Sequence, residues 1–404
     1  MNAIWPLLIL ITAVFSLLYL WYSLFPGRIQ PEVFRYFSAE QVAAGREYNL
    51  TQRLLFITGF MVQILFLLWL VFSGRGMAFA RWAQQLAGGS YWGGILVFFV
   101  SLWLMLSLVK LPFTLYSSYF LQKSWGFSTQ TLGSWWLDYF KYAGLDLILS
   151  ALGVLLLFWI LGRWPGIWWL LGAGFVSLWL VLQSYLWPVL VSPLFNQFVP
   201  AKDPAIISMV QELSQKAGVP VDEVLVMDAS QRTTKANAYF TGLGATKRIV
   251  LYDTLLKDYP ADQIKAVVAH EMAHWRQGHI VKGLTLGILG NFLVWGLLFL
   301  VLRGTFPPTP LRYPPQAWAV ILLFFVLISF ISSPLQNYIS RDMEKEADRV
   351  SVWLTGDAPA AVRLQINLAS KNLSDLSPPA FIQWFSYSHP PALTRIRILQ
   401  EGAQ

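Results

Sequence analysis

The sequence contains no cysteine, which excludes disulfide bonds, thiolate metal ligands and cysteine nucleophiles. Charged residues are also scarce, at 12% of the chain, whereas a soluble domain has about a quarter. Histidine occurs only four times in 404 residues. With 56% hydrophobic residues and twenty tryptophans, the composition is typical of a membrane protein whose aromatic side chains lie at the lipid–water interfaces.

The net charge of +8 does not indicate a nucleic-acid partner, because no basic run is interleaved with aromatic residues. In a membrane protein, an excess of lysine and arginine more simply reflects the positive-inside rule. We therefore expect membrane lipids, and no nucleic acid, among the partners. The stretch MNAIWPLLIL has neither a basic n-region nor an A-x-A cleavage site, which favours a retained first helix over a removed signal peptide.

Seven apolar runs are long enough to cross about 30 Å of hydrocarbon as helices. They are Ile4–Phe25, Leu54–Phe72, Tyr91–Leu111, Leu145–Leu161, Ile167–Val191, Val281–Leu302 and Trp318–Leu335. An odd number of spans puts the two termini on opposite sides of the membrane. Basic residues are more frequent on the face that carries residues 196–279 and the C-terminal tail, which predicts that this face is cytoplasmic.

Residues 196–279 are the polar part of the chain and predict a small α+β domain. The periodicity indicates a helix and three strands, at Pro204–Ala217, Glu223–Ala229, Asn237–Gly244 and Lys247–Asp253, with a turn near Ala245. Pro260 then begins a helix that is expected to run through Val267–His279 toward the sixth span. We divide the chain into residues 1–195 (spans one to five), 196–279 (catalytic domain), 280–338 (spans six and seven) and 339–404 (C-terminal catalytic segment).

The stretch Val267–His279, VVAHEMAHWRQGH, holds three of the four histidines. His270 and His274 are one helical turn apart and share a face, and Glu271 lies between them where a general base is needed. This is the H-E-x-x-H pattern of zinc metalloproteases, which requires one more protein ligand and an open position for water. His279 lies about 180° round a straight helix from His270, so we interpret it as a surface or interface histidine.

The third zinc ligand is expected in ISRDMEKEADRVS, where the chain returns from the seventh span to the depth of His270. Glu344 and Asp348 are four residues apart and share one helical face, whereas Glu346 points elsewhere. We assign Glu344 as the third ligand. Asp348 is expected to accept the other N–H of a ligand histidine and so to hold its orientation.

Several motifs together make the chain similar to integral-membrane zinc metalloproteases of the CAAX prenyl protease 1 type, with the HtpX-like heat-shock proteases as more distant relatives. The motifs are LPFTLYSSYF, WGFSTQT, NAYFTG, KRIVLYDTLL, HEMAHWRQGH, SRDMEKEAD and YSHPPALTR. This resemblance implies seven transmembrane helices with a gluzincin-type zinc metalloprotease domain. It also implies that Glu344, which matches the glutamate of E-x-x-A-D, is the third zinc ligand.

The resemblance implies further site residues. Asn237 and Tyr239 match a family motif on an edge strand that meets the substrate backbone. His389 matches a histidine that helps to stabilise the oxyanion, and Arg395, which matches a basic residue six positions later, is expected to assist it. The resemblance also implies a large intramembrane chamber. Such a chamber would account for the polar residues of the spans, although hydrogen bonds between helices account for them equally well; these residues are Gln63, Ser101 and Gln183.

The chain departs from the family pattern in two loops, with Lys123–Ser128 in one and Lys235 shortly before Asn237 in the other. These differences leave any substrate preference carried by the loops open.

The predicted function is zinc-dependent hydrolysis of peptides or proteins, lipidated or not, by a CAAX prenyl protease-like enzyme. One alternative is an HtpX-like quality-control protease, and another is a transporter or channel with a structural zinc. A structural site, however, has four protein ligands and no use for a general base. The sequence favours a prokaryotic cytoplasmic membrane, or the endoplasmic reticulum if the source is a eukaryote. It does not predict the oligomeric state.

Overall fold

A computed structural model describes residues 4–241, 247–306 and 312–402, which form a layer of long apolar helices joined to a small mixed domain. The helices are α1 Ile4–Leu24, α2 Ala39–Phe72, α3 Arg75–Leu86, α4 Tyr91–Leu115, α5 Leu121–Ser124, α6 Leu132–Arg163, α7 Trp168–Leu186, α8 Pro204–Ala217, α9 Asp253–Asp258, α10 Ala261–Arg276, α11 His279–Thr305, α12 Ala317–Thr355, α13 Ala358–Lys371, α14 Ala380–Ser386 and α15 Ala392–Glu401. The strands are β1 Phe198–Pro200, β2 Glu223–Met227, β3 Ala238–Thr241 and β4 Arg248–Tyr252. Single π-helical turns continue α4 and α7, at Tyr116–Phe120 and Trp187–Val191.

Among the described residues, seven helical segments are long and apolar enough to span a membrane, which confirms the predicted number. They are Ile4–Leu24, Ala39–Phe72, Tyr91–Ser124, Leu132–Arg163, Trp168–Leu194, His279–Thr305 and Ala317–Thr355. The second of them begins at a capping box, in which the Ser38 hydroxyl accepts from the Gln41 backbone N–H and the Gln41 side chain accepts from the Ser38 backbone N–H. This cap satisfies two backbone donors at the helix end.

The spans pack tightly at one end and leave cavities at the other. The buried residues of α4 and α7 are concentrated toward the first residues of these helices, and those of α6 and α11 toward their last residues. These four ends lie on the same side of the layer, next to residues 87–90, 164–167 and 303–306. Toward the mixed domain, three neighbouring cavities of about 520, 640 and 450 Å³ share Tyr142 in their walls. Gln63 and Gln183 line these cavities, and Ser101 is not among their lining residues.

One helix connects the membrane layer to the mixed domain without interruption. Helix α12 has 39 residues and is therefore about 58 Å long at a rise of about 1.5 Å per residue. Its first half is apolar and packs among the spans, and its second half carries Glu344 and Asp348. The predicted limit between residues 338 and 339 thus lies inside a continuous helix.

The sheet of the mixed domain has the order β1–β2–β4–β3, with β2 and β4 parallel and the two outer pairs antiparallel. The central residues of β4, Ile249, Val250 and Leu251, are buried. Helix α10 packs against this sheet and against α12. Helix α8 has the predicted bounds, and each predicted strand contains an observed one. The predicted turn residue Ala245 lies outside the described residues.

Candidate metal centre

Helix α10 presents two chemically different faces. Pro260 precedes the helix, where its missing N–H has no consequence, and the apolar residues Ile264, Val268 and Met272 turn into the core. The opposite side carries His270 and His274, which are only partly buried. The amphipathic spacing of the helix therefore orients both imidazoles toward the cleft between α10 and α12.

Three potential ligands from α10 and α12 converge in this cleft. His270 Nε2 lies 3.1 Å from Glu344 Oε2, and His274 Nε2 lies 3.3 Å from Glu344 Oε1. The two Nε2 atoms are 3.2 Å apart. Among the described residues, these three form the group of histidine and acidic side chains that could hold a metal ion. The structure thus brings together the three residues that the sequence predicts as ligands.

The spacing of these atoms fits a zinc ion. In a tetrahedral site with zinc–ligand distances of about 2.0–2.1 Å, neighbouring ligand atoms are about 3.3 Å apart. The two Nε2 atoms are 3.2 Å apart, and each lies 3.1 or 3.3 Å from one of the two oxygens of Glu344, which is close to that value. Burial lowers the pKa of His270, but hydrogen bonds to Asp348 and Glu344 raise it more, to about 9. The site thus favours a positive charge on or between its ligands, and metal binding would release a proton.

Asp348 lies directly behind His270. Its Oδ1 is 3.0 Å from His270 Nδ1, so the ring donates this N–H to the carboxylate and leaves Nε2 for a metal ion. Arg395 in turn donates two hydrogen bonds to Asp348, at 2.8 and 2.6 Å. Only 1% of the Asp348 side chain and 12% of that of Arg395 are exposed, so this bidentate pair is shielded from water. Arg395 therefore holds Asp348 in place from behind the metal centre.

The interpretation of His279 as a surface or interface residue is wrong. The zinc-site helix does not continue through it, because Gly278 adopts φ = 67°, a left-handed conformation that ends α10 at Arg276 and starts α11 at His279. His279 is buried, and its Nδ1 lies 2.9 Å from His274 Nδ1. The straight-helix assumption had placed the ring on the opposite face.

His279 forms a second chain of hydrogen bonds behind the metal centre. With His274 Nε2 facing the metal site, His274 Nδ1–H donates to His279 Nδ1, and His279 Nε2–H donates to Glu346 at 3.0 Å. Both predicted histidine ligands are thus held from behind, one by Asp348 and the other by His279. The sequence did contain a signal for this break in the helix, because Gly278 directly precedes His279 and glycine commonly ends helices.

Replacing His279 with alanine is expected to weaken zinc binding by about 10- to 100-fold, because His274 loses the partner that fixes its tautomer and ring orientation. Competition with a chromophoric chelator measures this change. Lys282→Ala is the matched control, because Lys282 lies on the same helix and contacts Glu346 without touching a histidine. Equal zinc affinity in His279→Ala and the unmodified protein would contradict the positioning role.

Glu271 lies in the same cleft, in a cavity of about 120 Å³ that is also lined by Asn237, His270 and His389. Burial raises the pKa of the Glu271 carboxyl, and the neighbouring imidazoles of His270 and His274 oppose part of this rise. A raised pKa makes the carboxylate a better proton acceptor near neutral pH. The position and environment of Glu271 are therefore suited to a general base.

His389 reaches the cleft from a loop that two buried arginines hold. Arg53 of α2 forms an ion pair of 2.7 Å with Asp375 and donates to the hydroxyl of Tyr387. Arg341 of α12 donates to the backbone carbonyl of Tyr387 at 2.6 Å. His389 follows two residues later, with its Nε2 3.3 Å from Glu344 Oε1 and its side chain 58% exposed. The loop thus places an accessible imidazole beside the predicted ligands.

The two predicted substrate-binding residues line different cavities. Asn237 immediately precedes β3 and lines the cavity of Glu271, and its backbone carbonyl accepts from Tyr252 N–H. Tyr239, on β3, lines the neighbouring cavity of about 520 Å³ and packs against Tyr252. Burial raises the pKa of Tyr239 to about 12, so its hydroxyl stays protonated. Substrate contact remains a prediction for both residues.

Comparison with known proteins connects both halves of the chain to one group of proteases. The profile of peptidase family M48 matches residues 200–403. A profile described as the CAAX prenyl protease N-terminal region, with five membrane helices, matches residues 23–197.

Individual relatives match over much of the chain. An uncharacterized metalloprotease, YhfN, of Bacillus subtilis is 29% identical over 399 residues, which are 95% of this chain and 93% of the relative. CAAX prenyl protease 1 of Saccharomyces cerevisiae is 31% identical over 321 residues, or 72% of this chain and 69% of that protein. The crystal structure of S. mikatae Ste24p superposes with a TM-score of 0.84 at 27% identity, covering 96% of this chain and 98% of that one.

Proposed function

The chain belongs to peptidase family M48, and from this membership and the geometry of its three-ligand cleft we propose that it hydrolyses peptide bonds at a zinc ion held by His270, His274 and Glu344. It is an integral, multi-pass membrane metalloendopeptidase of the CAAX prenyl protease type. The observation that carries the proposal is the convergence of the side chains of His270, His274 and Glu344, whose nitrogens lie 3.2 Å from each other and 3.1 and 3.3 Å from the carboxylate oxygens, with Glu271 in the same cleft.

Zinc suits this set of donors. Two imidazole nitrogens and one carboxylate oxygen are the donors of a catalytic zinc site with one position left open. When bound, zinc supplies Lewis-acid chemistry, since it acidifies a water molecule and polarises the scissile carbonyl group.

Four side chains around the cleft have separate roles in the proposed reaction. Glu271 accepts a proton from the attacking water and later passes it to the leaving amine. His389, which is exposed beside Glu344, donates a hydrogen bond to the developing oxyanion. Arg395 Nη2 lies 3.9 Å from Glu344 Oε2, so its positive charge also favours the developing oxyanion. Asp348 keeps the His270 ring in the orientation that leaves Nε2 toward the metal.

The substrate is proposed to bind as an extended peptide along the edge strand β3, next to Asn237 and Tyr239. An edge strand offers backbone donors and acceptors to any sequence, so binding there depends little on side chains. The curated relatives named CAAX prenyl protease 1 suggest the C-terminal tripeptide of prenylated proteins as the leaving group. The cavities among the spans offer apolar walls for a lipidated segment, although a substrate without lipid would fit the same cleft.

We further propose that the catalytic domain faces the cytoplasm, because the basic loops lie on its side of the membrane. The prokaryotic cytoplasmic membrane is the favoured location, with the endoplasmic reticulum as the eukaryotic alternative. A role in the quality control of membrane proteins uses the same chemistry and differs only in substrate. The transporter with a structural zinc is disfavoured, because the chain belongs to a family of peptidases.

The test uses purified protein in detergent or liposomes with two peptides of one sequence, a farnesylated CAAX peptide and its unmodified form. We expect hydrolysis of the farnesylated peptide to stop on treatment with a zinc chelator and to return when zinc is added. Faster turnover of the farnesylated peptide supports prenyl recognition, whereas equal zinc-dependent turnover supports the quality-control role. Equal turnover of both peptides in the presence of the chelator would exclude a metalloprotease.

A further inference from the structure

A lysine without an acidic partner lies just before the edge strand β3. Lys235 precedes β3 by three residues, and its backbone is fixed by hydrogen bonds to Thr233 and Thr254. Its Nζ donates to the Tyr48 hydroxyl at 3.1 Å and lies 4.2 Å from the centre of the Phe127 ring. In the part of the chain that the structure describes, no aspartate or glutamate forms an ion pair with this ammonium group.

The cavity that Lys235 lines is positive. This cavity of about 680 Å³ extends between α2 and α4, and its two charged lining residues are both lysines, Lys110 and Lys235. The remaining polar groups in its wall are amides and hydroxyls, among them Gln52, Gln122 and Ser118. A hydroxyl and an aromatic face stabilise an ammonium group but leave its charge uncompensated. Such a wall attracts an anionic group of a ligand and can donate hydrogen bonds to it.

The topology indicates which end of a peptide would meet this charge. Among the four described strands, β3 is the outer one beside β4, so a peptide can add along its other side. Antiparallel pairs outnumber parallel pairs about two- to three-fold. In an antiparallel arrangement the C-terminal part of the peptide runs past Asn237 toward Lys235.

The end of a short leaving segment is within reach of the Lys235 side chain. Three extended residues beyond the scissile bond span about 10 Å. Lys235 precedes Asn237 by two residues, about 7 Å of extended chain, and its side chain adds about 6 Å. Its ammonium group can therefore lie where a segment of about three residues ends.

We propose that Lys235 binds the free C-terminal carboxylate of the peptide substrate. This inference rests on the proposed peptidase function and adds a specificity-determining residue to it. A charge-assisted hydrogen bond at a half-buried lysine distinguishes a carboxylate from a neutral carboxamide.

The experiment compares two fluorogenic peptides of the same sequence, one with a free C-terminal carboxylate and one with a C-terminal amide, and measures the ratio of their kcat/KM values. For the unmodified enzyme we expect a ratio of about 10 to 100 in favour of the acid. Lys235→Gln should bring this ratio close to one, and Lys235→Arg should restore most of it. Damage to the fold would slow both peptides, whereas loss of the carboxylate contact slows only the acid and leaves the turnover of the amide unchanged.

Lys247→Gln is the matched control. Lys247 lies beyond the other end of β3, where Thr241 pairs with Arg248, and its ammonium group rests on the Trp275 ring. The Lys247→Gln enzyme should keep the ratio of the unmodified enzyme. A ratio near one in the unmodified enzyme, an unchanged ratio in Lys235→Gln, or a loss of the ratio in Lys247→Gln alone would overturn the assignment. Absence of zinc-dependent hydrolysis of both peptides would instead remove the proposed peptidase function on which it rests.

Discussion

Replacing Glu271 with glutamine is expected to lower kcat for peptide hydrolysis by about 10²- to 10⁴-fold, because the amide cannot accept the proton of the attacking water. The zinc content should stay near one ion per chain, since His270, His274 and Glu344 are all retained. Glutamine has nearly the same size as glutamate, so the small cavity beside His389 should keep its shape. Metal analysis of the purified variant, together with a fluorogenic peptide assay, measures both quantities.

Glu212→Gln is the control for this variant. Glu212 lies on α8 of the same domain, is 48% exposed and pairs with Lys216 and Lys265 at the surface. Surface ion pairs contribute little to stability, so this enzyme should retain nearly full activity. Full activity in the Glu271→Gln enzyme would rule out the general-base assignment, and loss of zinc from it would show that the carboxylate has a role in metal binding.

Replacing Glu344 with glutamine is expected to remove most of the bound zinc and to reduce hydrolysis to the background rate. The carboxylate contributes the negative charge that the two neutral imidazoles lack, and a carboxamide is a much weaker zinc ligand. Its two oxygens lie 3.1 and 3.3 Å from the Nε2 atoms of His270 and His274, so no other carboxylate is needed to complete the group. Zinc content after dialysis and residual activity at saturating zinc report on this loss.

Asp342→Asn provides the comparison on the same helix. Asp342 precedes Glu344 by two residues on α12 and is exposed, so its side chain points away from the cleft. This variant should bind zinc with the affinity of the unmodified protein. If Glu344→Gln retained full zinc affinity and activity, a different residue would be the third ligand.

The features that follow from short stretches of sequence were predictable. The apolar runs predicted the number of spans, because crossing hydrocarbon requires about twenty apolar residues in a row. The four-residue spacing of His270 and His274 placed both rings on one face, because helical periodicity alone sets that relation. Glu344 was predicted because the sixth span crosses the membrane and the seventh crosses back, which returns the chain to the depth of His270.

His279 was predicted incorrectly because one backbone conformation changes the direction of the helix. The left-handed conformation at Gly278 separates α10 from α11, so positions counted along a straight helix no longer describe the ring. The partner of Arg395 also could not be predicted from the sequence, because Arg395 donates two hydrogen bonds to Asp348, 47 residues earlier in the chain.

The sequence by itself determined a polytopic membrane chain and predicted two histidines and one carboxylate that could hold a metal ion, since each of these depends on composition or on spacing within one or two helices. Only the tertiary structure decided what lies behind and beside that site: the pairing of Asp348 with Arg395, the contact of His279 with His274, and the positive cavity at Lys235. These contacts join residues that are far apart in sequence or separated by a bend. Their existence depends on how α2, α4, α10, α12 and α15 pack together, which no local pattern encodes.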